Sequence, residues 1–253
     1  MENIPKVSEL LKSCRSILFI TGAGISAESG LPTYRGIGGL YESQDTEDGI
    51  PVETALAGEM LYKDPSVTWK YLLQIERNCR NATFNRAHQI IAEMERAFNR
   101  VWVLTQNVDG FHTDAGAEHV IEIHGNLHHL KCMKCYWRKT VKDFSGLTIP
   151  PKCPKCGFII RPDVVLFGEM LPFDKYQTLT DQVEKGFDIY FWIGTTGVFP
   201  YIQGPLVDAK HSGSTTVEIN PDDTLLSGEV DIKIPMKAGE ALERIWKEYK
   251  EKI

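Results

Sequence analysis

The sequence predicts an α/β fold built on a doubly wound parallel sheet with a small inserted module, and three observations carry that prediction. The first is Ile17-Leu-Phe-Ile20, a continuous apolar run of the kind buried on both faces of a parallel sheet. The second is the turn after it, Gly22-Ala-Gly-Ile-Ser-Ala27, which fits the G-x-G-x-x-G/A pattern of small residues between strand and helix. The third is repetition. Apolar runs at 101–104 and 120–123 end in Gln106-Asn-Val-Asp109 and His124-Gly125, so three strands in turn finish in polar or glycine-rich segments.

At 253 residues, 42% of them hydrophobic, the chain has room for one large domain or a large and a small one. It has no long apolar run and no charged-then-apolar leader, so neither a membrane span nor a signal peptide is expected and the location expected is cytoplasmic. A formal charge of −6 argues against nucleic acid as the main partner. Between Lys131 and Cys156, however, seven cations face Asp143 alone, a local +6 that reads either as the solvated face of a small module or as a docking patch.

Six cysteines are present, and four fall in two pairs, Cys132-Met-Lys-Cys135 and Cys153-Pro-Lys-Cys156, separated by 17 residues. That spacing fits a tetrahedral four-thiolate zinc site, closed to substrate and therefore structural. Cys14 and Cys79 read as ordinary small apolar residues.

Taken in order, Val7, Leu10, Leu11 and Cys14 form one stripe of an amphipathic helix expected to cover the sheet edge. The turn after the first strand, Gly22 to Ala27, is expected to open a helix whose N-terminus faces phosphates; a plain tight connection reads equally well. No acidic ribose ligand follows about 20 residues on, where a standard dehydrogenase would carry one. Residues 51–80 look largely helical, with Asp64-Pro65-Ser66 placing a cap and an N-terminal proline. A further helix spans 85–98, with Ala87, Ile90, Ile91 and Met94 at helical spacing.

The strand at 101–104 delivers Asn107 and Asp109 to its carboxyl end, where ligands bind in open α/β sheets; a capping turn is the alternative. His124 follows the next strand, and its ordinary pKa near neutrality suits a general base. Residues 163–169 look strand-like, 187–193 form another buried strand, and Gly194-Thr-Thr-Gly197 supplies a second loop of small and hydroxylated residues. A strand at 215–220 ends in Asn220, and a helix at 241–250 follows.

Together these pieces resemble the sirtuins, the NAD-dependent protein lysine deacylases. The matching segments are Gly22 to Arg35, Thr105 to His112, His124-Gly125, the paired cysteines, Val164 to Glu169, Gly194-Thr-Thr196 and Glu218-Ile-Asn220, in family order over nearly the whole chain. The resemblance implies a Rossmann-like doubly wound sheet with a small inserted zinc-ribbon domain, and NAD meeting acyl-lysine in the cleft between them. Residues 1–36, 82–126 and 162–253 would form the NAD-binding domain, 37–81 the helical part of the small domain, and 127–161 the zinc module.

Carried over by position, His124 is the base that activates the ribose hydroxyl, Asn107 holds that ribose, and Asp109 faces the nicotinamide carboxamide. Gly22, Ala23, Gly24, Ala27, Tyr34, Arg35 and Gln106 are expected as NAD contacts, with Gly194, Thr195, Thr196, Asn220 and Ala238 on the adenosine side. The substrate peptide is expected as a strand between Val164, Phe167, Gly168, Glu169 and residues 197–201. In the family's mechanism the acyl oxygen attacks the ribose carbon as nicotinamide leaves, giving free lysine and O-acyl-ADP-ribose. A monomer acting on acyl-lysine proteins or peptides is expected.

Three departures from the family pattern are visible: Tyr34 for Phe, Thr196 for Ser, and an altered Val198-Phe-Pro-Tyr201. The glycine pattern at 35–41 is closest to the succinyl- and malonyl-lysine branch, which binds the acyl carboxylate with Tyr-x-x-Arg. The corresponding positions here are Leu72 and Ile75, so neutral acyl groups, from acetyl to longer fatty chains, are expected over succinyl. Alternatives are desuccinylation or demalonylation, protein ADP-ribosylation, and a non-catalytic NAD or ADP-ribose sensor.

Overall fold

Residues 3–33 and 48–252 are described by the structure, a computed structural model. Its frame is a six-stranded sheet made of β1 (Ser16–Thr21), β2 (Arg100–Thr105), β3 (Val120–Glu122), β7 (Ile189–Ile193), β8 (Thr215–Ile219) and β9 (Ile232–Ile234). The order is β3-β2-β1-β7-β8-β9 and each pair is parallel. This is the doubly wound arrangement in which the strand order reverses once, here between β1 and β7, and that reversal opens a crevice at the strands' carboxyl ends.

Period-two alternation between two cores explains why residues 17–20 of β1 and 189–193 of β7 are apolar throughout. Ile17 and Phe19 enter one core with α1 (Asn3–Ser13), α5 (Arg86–Ala97) and α9 (Ala238–Glu251), while Leu18 and Ile20 enter a second with α7 (Phe173–Glu184) and α8 (Pro200–Ser212). The expected N-terminal helix packs Val7 and Leu11 into the first core against α9, lying beside the edge strand β9. Cys14 and Cys79 are half-buried, and burial pushes both thiols up to about 12, which leaves them inert.

A second, three-stranded antiparallel sheet has the order β5-β4-β6, from β4 (Gly125–Cys132), β5 (Arg138–Thr140) and β6 (Ile160–Val164). It shares a third core with α2 (Val52–Ala55), α3 (Gly58–Lys63) and α4 (Pro65–Arg80). Trp69 of α4 is fully buried there and donates to the Ile160 carbonyl at 2.9 Å. β4 follows the end of the large sheet directly, and its register against β6 shifts between Asn126 and Leu130.

Two sequence expectations are corrected and one is borne out. The glycine turn leads not into an α-helix but into a 3-10 helix, Ala23–Ser29, closed by Gly30 at φ +84°. Residues 51–80 are largely helical as expected, in three helices, and Asp64 caps the last by accepting from Ser66 N–H at 3.0 Å. The strand expected at 163–169 ends at Val164; beyond it the chain makes an isolated bridge between Phe167 and Ala57.

Below the crevice, α5 carries His88 beside His112 of α6 (Phe111–Asp114), with ring centroids 4.8 Å apart. Burial pulls His88 down to about 4 and takes His112 well below its ordinary value, so both are neutral in the fold. A histidine depressed in the folded state contributes stability above its unfolded pKa of about 6.5 that is lost as pH falls, at about 1.4 kcal/mol per pH unit for each group. Urea unfolding should therefore show stability falling steeply from pH 6.5 toward 4. His88→Gln keeps an acceptor for the Asn85 N–H at the helix start and should flatten that slope; an unchanged slope would refute the assignment.

Candidate active site

The ends of β1 and β7 meet edge to edge. Gly22 N–H donates to Ile193 O at 3.0 Å and Gly24 N–H to Gly194 O at 2.9 Å. A Cβ on Gly24 would lie 2.6 Å from Gly194 Cα, and one on Gly22 would lie 2.7 Å from Gly194 O. Glycine is needed at these positions for the two turns to touch.

Asn107, just past β2, is buried and donates through Nδ2 to Gly22 O at 3.2 Å and to Ser26 Oγ at 3.1 Å. Ser26 in turn donates to Asp109 Oδ2 at 2.8 Å, and Phe111 N–H donates to Asp109 Oδ1 at 3.0 Å. Burial raises the Asp109 pKa above the usual carboxylate range. Ser26 was missed as a site residue, although it lies inside the glycine motif. Its bond to Asp109 spans 83 residues, a pairing only the fold reveals.

His124 follows β3. Its Nδ1 lies 2.9 Å from the Gln106 carbonyl, which can only accept, so Nδ1 carries the proton and Nε2 is the free base. Burial, with Lys175 nearby, lowers its pKa and keeps the ring neutral. Gln106 also donates to Thr195 Oγ1 at 2.8 Å, tying the β2 end to the β7 turn.

These groups surround a cavity of about 430 Å³. Gly22, Ala23, Gln106, Asn107, His124, Gly194, Thr195 and Thr196 line its polar end, and Leu72 and Ile75 of α4 line an apolar wall with Leu56, Leu127 and Leu166. Val164, Phe167, Gly168 and Glu169 line it too. Asp109 lies instead on an adjoining recess of about 30 Å³ with Ala23, Ser26 and Ile75.

Other expected residues lie off the cavity. Gly24 packs on Gly194, Ala27 is exposed on the 3-10 helix, and Ala238 is buried at the start of α9. Asn220 follows β8 and donates to Thr195 O at 3.3 Å. Tyr34 and Arg35 lie outside the described residues. Although burial opposes ionisation, Arg161 holds the Glu169 carboxyl below its usual range; the pair is bidentate, at 2.5 and 2.9 Å, so this carboxylate is already engaged.

The four paired cysteines converge. Their sulfurs all lie within 4.8 Å of one another, with Cys132 to Cys156 at 3.5 Å and Cys135 to Cys153 at 3.6 Å. A tetrahedron with zinc–sulfur arms of about 2.3 Å has edges of about 3.8 Å, so the cluster fits one structural zinc. The loop between the pairs is clamped onto α4, where Phe144 packs on Trp69 and its N–H donates to buried Glu76 at 3.3 Å. The basic surface is partly neutralised, since Lys131 and Arg138 both pair with Asp163.

A doubly wound sheet, a neutral histidine on the cavity at its strand ends and a four-cysteine site define the class, and the chain belongs to the Sir2 family, whose model matches residues 22–200. It is 46% identical over 238 residues to the NAD-dependent protein deacylase 2 of Pseudomonas aeruginosa, covering 93% of each chain. It is 40% identical to the NAD-dependent protein deacylase 1 of Caldanaerobacter subterraneus subsp. tengcongensis, covering 92% of this chain and 94% of the relative. Among solved structures, a Sir2 homologue–NAD complex superposes with a TM-score of 0.87 at 35% identity, covering 98% and 94% of the two chains. A Sir2 variant bound to a deacetylated peptide and 3′-O-acetyl ADP ribose superposes at 0.86 with 27% identity, covering 97% and 98%.

The expected metal content is one zinc per chain. Cys153→Ser should lose the metal and lower the melting temperature, with activity falling only as the small unit loosens. Elemental analysis combined with thermal unfolding checks this, and a Cys153→Ser protein that kept both zinc and Tm would contradict it.

Proposed function

We propose that this chain is an NAD-dependent protein lysine deacylase that prefers neutral acyl groups, from acetyl to longer fatty chains, over succinyl. The carrying observation is one cavity with two characters: a neutral base and strand-end amides and hydroxyls at one end, and an aliphatic wall at the other. NAD, when bound, supplies the glycosidic bond whose cleavage releases nicotinamide and opens the ribose carbon to the acyl oxygen. Gly22, Ala23, Gly194, Thr195 and Thr196 are the residues to hold its phosphates and ribose hydroxyls. Asn107 would orient the reacting ribose, and Asp109, through Ser26, keeps Asn107 in place.

His124 needs only to be neutral and aimed, because its work is to take a proton from a ribose hydroxyl through Nε2. The peptide would lie along Val164, Phe167 and Gly168 in a backbone-directed mode. Phe167 already spends its N–H on Leu56 O and its carbonyl on Gly58 N–H, both at 3.0 Å, and Leu166 bonds Glu169 through its N–H at 2.9 Å and its carbonyl at 3.1 Å, which leaves Gly168 to pair with substrate.

Leu72 and Ile75 face the cavity, while Tyr71, one position earlier, turns away and donates to Asp48 at 2.6 Å. Arg77 is exposed. Among the described residues no lysine or arginine lines the cavity. A succinyl carboxylate would lose its water there without gaining a partner, at a cost of roughly several kcal/mol, whereas each buried methylene gains about 0.8 kcal/mol.

His124→Ala and Asn107→Ala should each lose more than about 100-fold in kcat/KM with circular dichroism unchanged. Near-normal turnover by the His124 variant would remove it from the mechanism. Labelled NAD with an acyl-lysine peptide separates deacylation from ADP-ribosyl transfer, which would leave label on protein, and from a sensor, which would release no nicotinamide. On one peptide, kcat/KM should rank decanoyl- and acetyl-lysine above succinyl-lysine; succinyl in first place would overturn the assignment of the aliphatic wall.

A further inference from the structure

Tyr201, the second residue of α8, carries a feature the catalytic reading does not use. Its phenol oxygen lies 2.5 Å from His124 Nε2, the lone pair a base must offer to substrate. Because the Gln106 carbonyl fixes the imidazole proton on Nδ1, Nε2 can only accept, so the phenol donates. Tyr201 is buried enough to raise its pKa, which keeps it a donor at any working pH. Phe199 stacks on it with ring centroids 5.4 Å apart and meets His124 edge-on at 6.1 Å, so the three rings form one wall of the cavity.

We propose that Tyr201 is a positioning residue for the base: its phenol occupies His124 Nε2 in the unliganded enzyme, holds the ring in its productive tautomer, and yields that lone pair when the ribose hydroxyl arrives. A phenol O–H and a ribose O–H make the same kind of bond to the same atom, so the two compete. The latch keeps the base aimed and shielded from water at the expense of affinity for NAD. This inference rests on the assignment of His124 as the base.

The charged groups around the ring do not reproduce the effect. Lys175 on α7 donates to Glu122 O at 2.7 Å, and the Glu122 carboxylate accepts from Asn126 Nδ2, also at 2.7 Å. A hydrogen bond donated to neutral histidine favours the neutral form, so removing it raises the histidine's pKa in the free enzyme.

Tyr201→Phe keeps the ring stack and deletes only the donor. The expected result is a KM for NAD lower by roughly two- to tenfold, the range of one net hydrogen bond. The acid limb of kcat/KM, which reports the free enzyme, should move to higher pH, while the acid limb of kcat, which reports the complex, should not. An unmoved kcat/KM limb would overturn the proposal, and so would a tenfold fall in kcat, which would make the phenol a proton carrier in the reaction. Nitrogen NMR of His124 in the wild-type and Tyr201→Phe proteins decides the geometry without turnover: an unprotonated Nε2 whose resonance shifts when the phenol is deleted supports the latch, and an Nε2 that is protonated in the wild type or unmoved in the variant refutes it. A wild-type protein that does not cleave NAD would instead defeat the functional reading, and the NMR result would still stand.

Discussion

The site depends on the contact between two turns on either side of the strand-order reversal. The chain leaving β1 and the chain leaving β7 approach until glycine atoms touch, with room for no Cβ on Gly22, Gly24 or Gly194. Parallel register sets this up, because Thr21 and Ile193 lie opposite each other and both strands end at one level. Once the turns interlock, the Gly22 carbonyl and the Thr195 hydroxyl become fixed partners for Asn107 and Gln106 from the neighbouring strand. Backbone approach thus comes first, and the side chains are positioned by it.

Asn107, Ser26 and Asp109 are costly to bury singly and bond to one another as a chain. Asn107 donates to Ser26, Ser26 to Asp109, and Phe111 N–H to the same carboxylate. Each donor finds an acceptor, and the low local dielectric then strengthens bonds that would be weak in water. The arrangement leaves Asp109 as a support for Asn107 and Ser26, facing its own small recess, and leaves His124 as the titratable side chain at the polar end of the main cavity.

Legibility in the sequence followed the range of the interaction. Strands buried on both faces were evident from continuous apolar runs, and α5 from its spacing, with Asn85 capping it by accepting from Ala87 N–H. The zinc ligands were evident because four cysteines at that spacing have few other uses. β4 was not evident, because His128, His129 and Lys131 interrupt its apolar pattern, and α8 was hidden by Pro205 within it. β6 was displaced in the reading because Arg161 and Pro162 look unlike a strand, yet Arg161 is buried against Glu169 and the Val164 carbonyl. Of the site, the strand-end residues were legible. Ser26 to Asp109 and His124 to Tyr201 were not, since residues 83 and 77 positions apart meet only through the topology.

Helix α4 carries the cavity wall and the packing anchors on separate stripes of a single element. At about 100° per residue, Trp69 and Glu76 are seven apart and share one stripe. That stripe faces the small unit: Trp69 bonds to β6, and Glu76 holds Arg80 and the Phe144 amide. Leu72 and Ile75 fall on the adjoining stripe, at about 300° and 240° from Trp69, and face the cavity. Tyr71, at about 200°, points farther round to Asp48. The cavity wall can therefore change at positions 72 and 75 without touching the anchors that tie the four-cysteine module to the helix. A carboxylate-binding pair and an aliphatic wall are alternative fillings of one stripe, and this chain's Leu72 and Ile75 fill it with carbon.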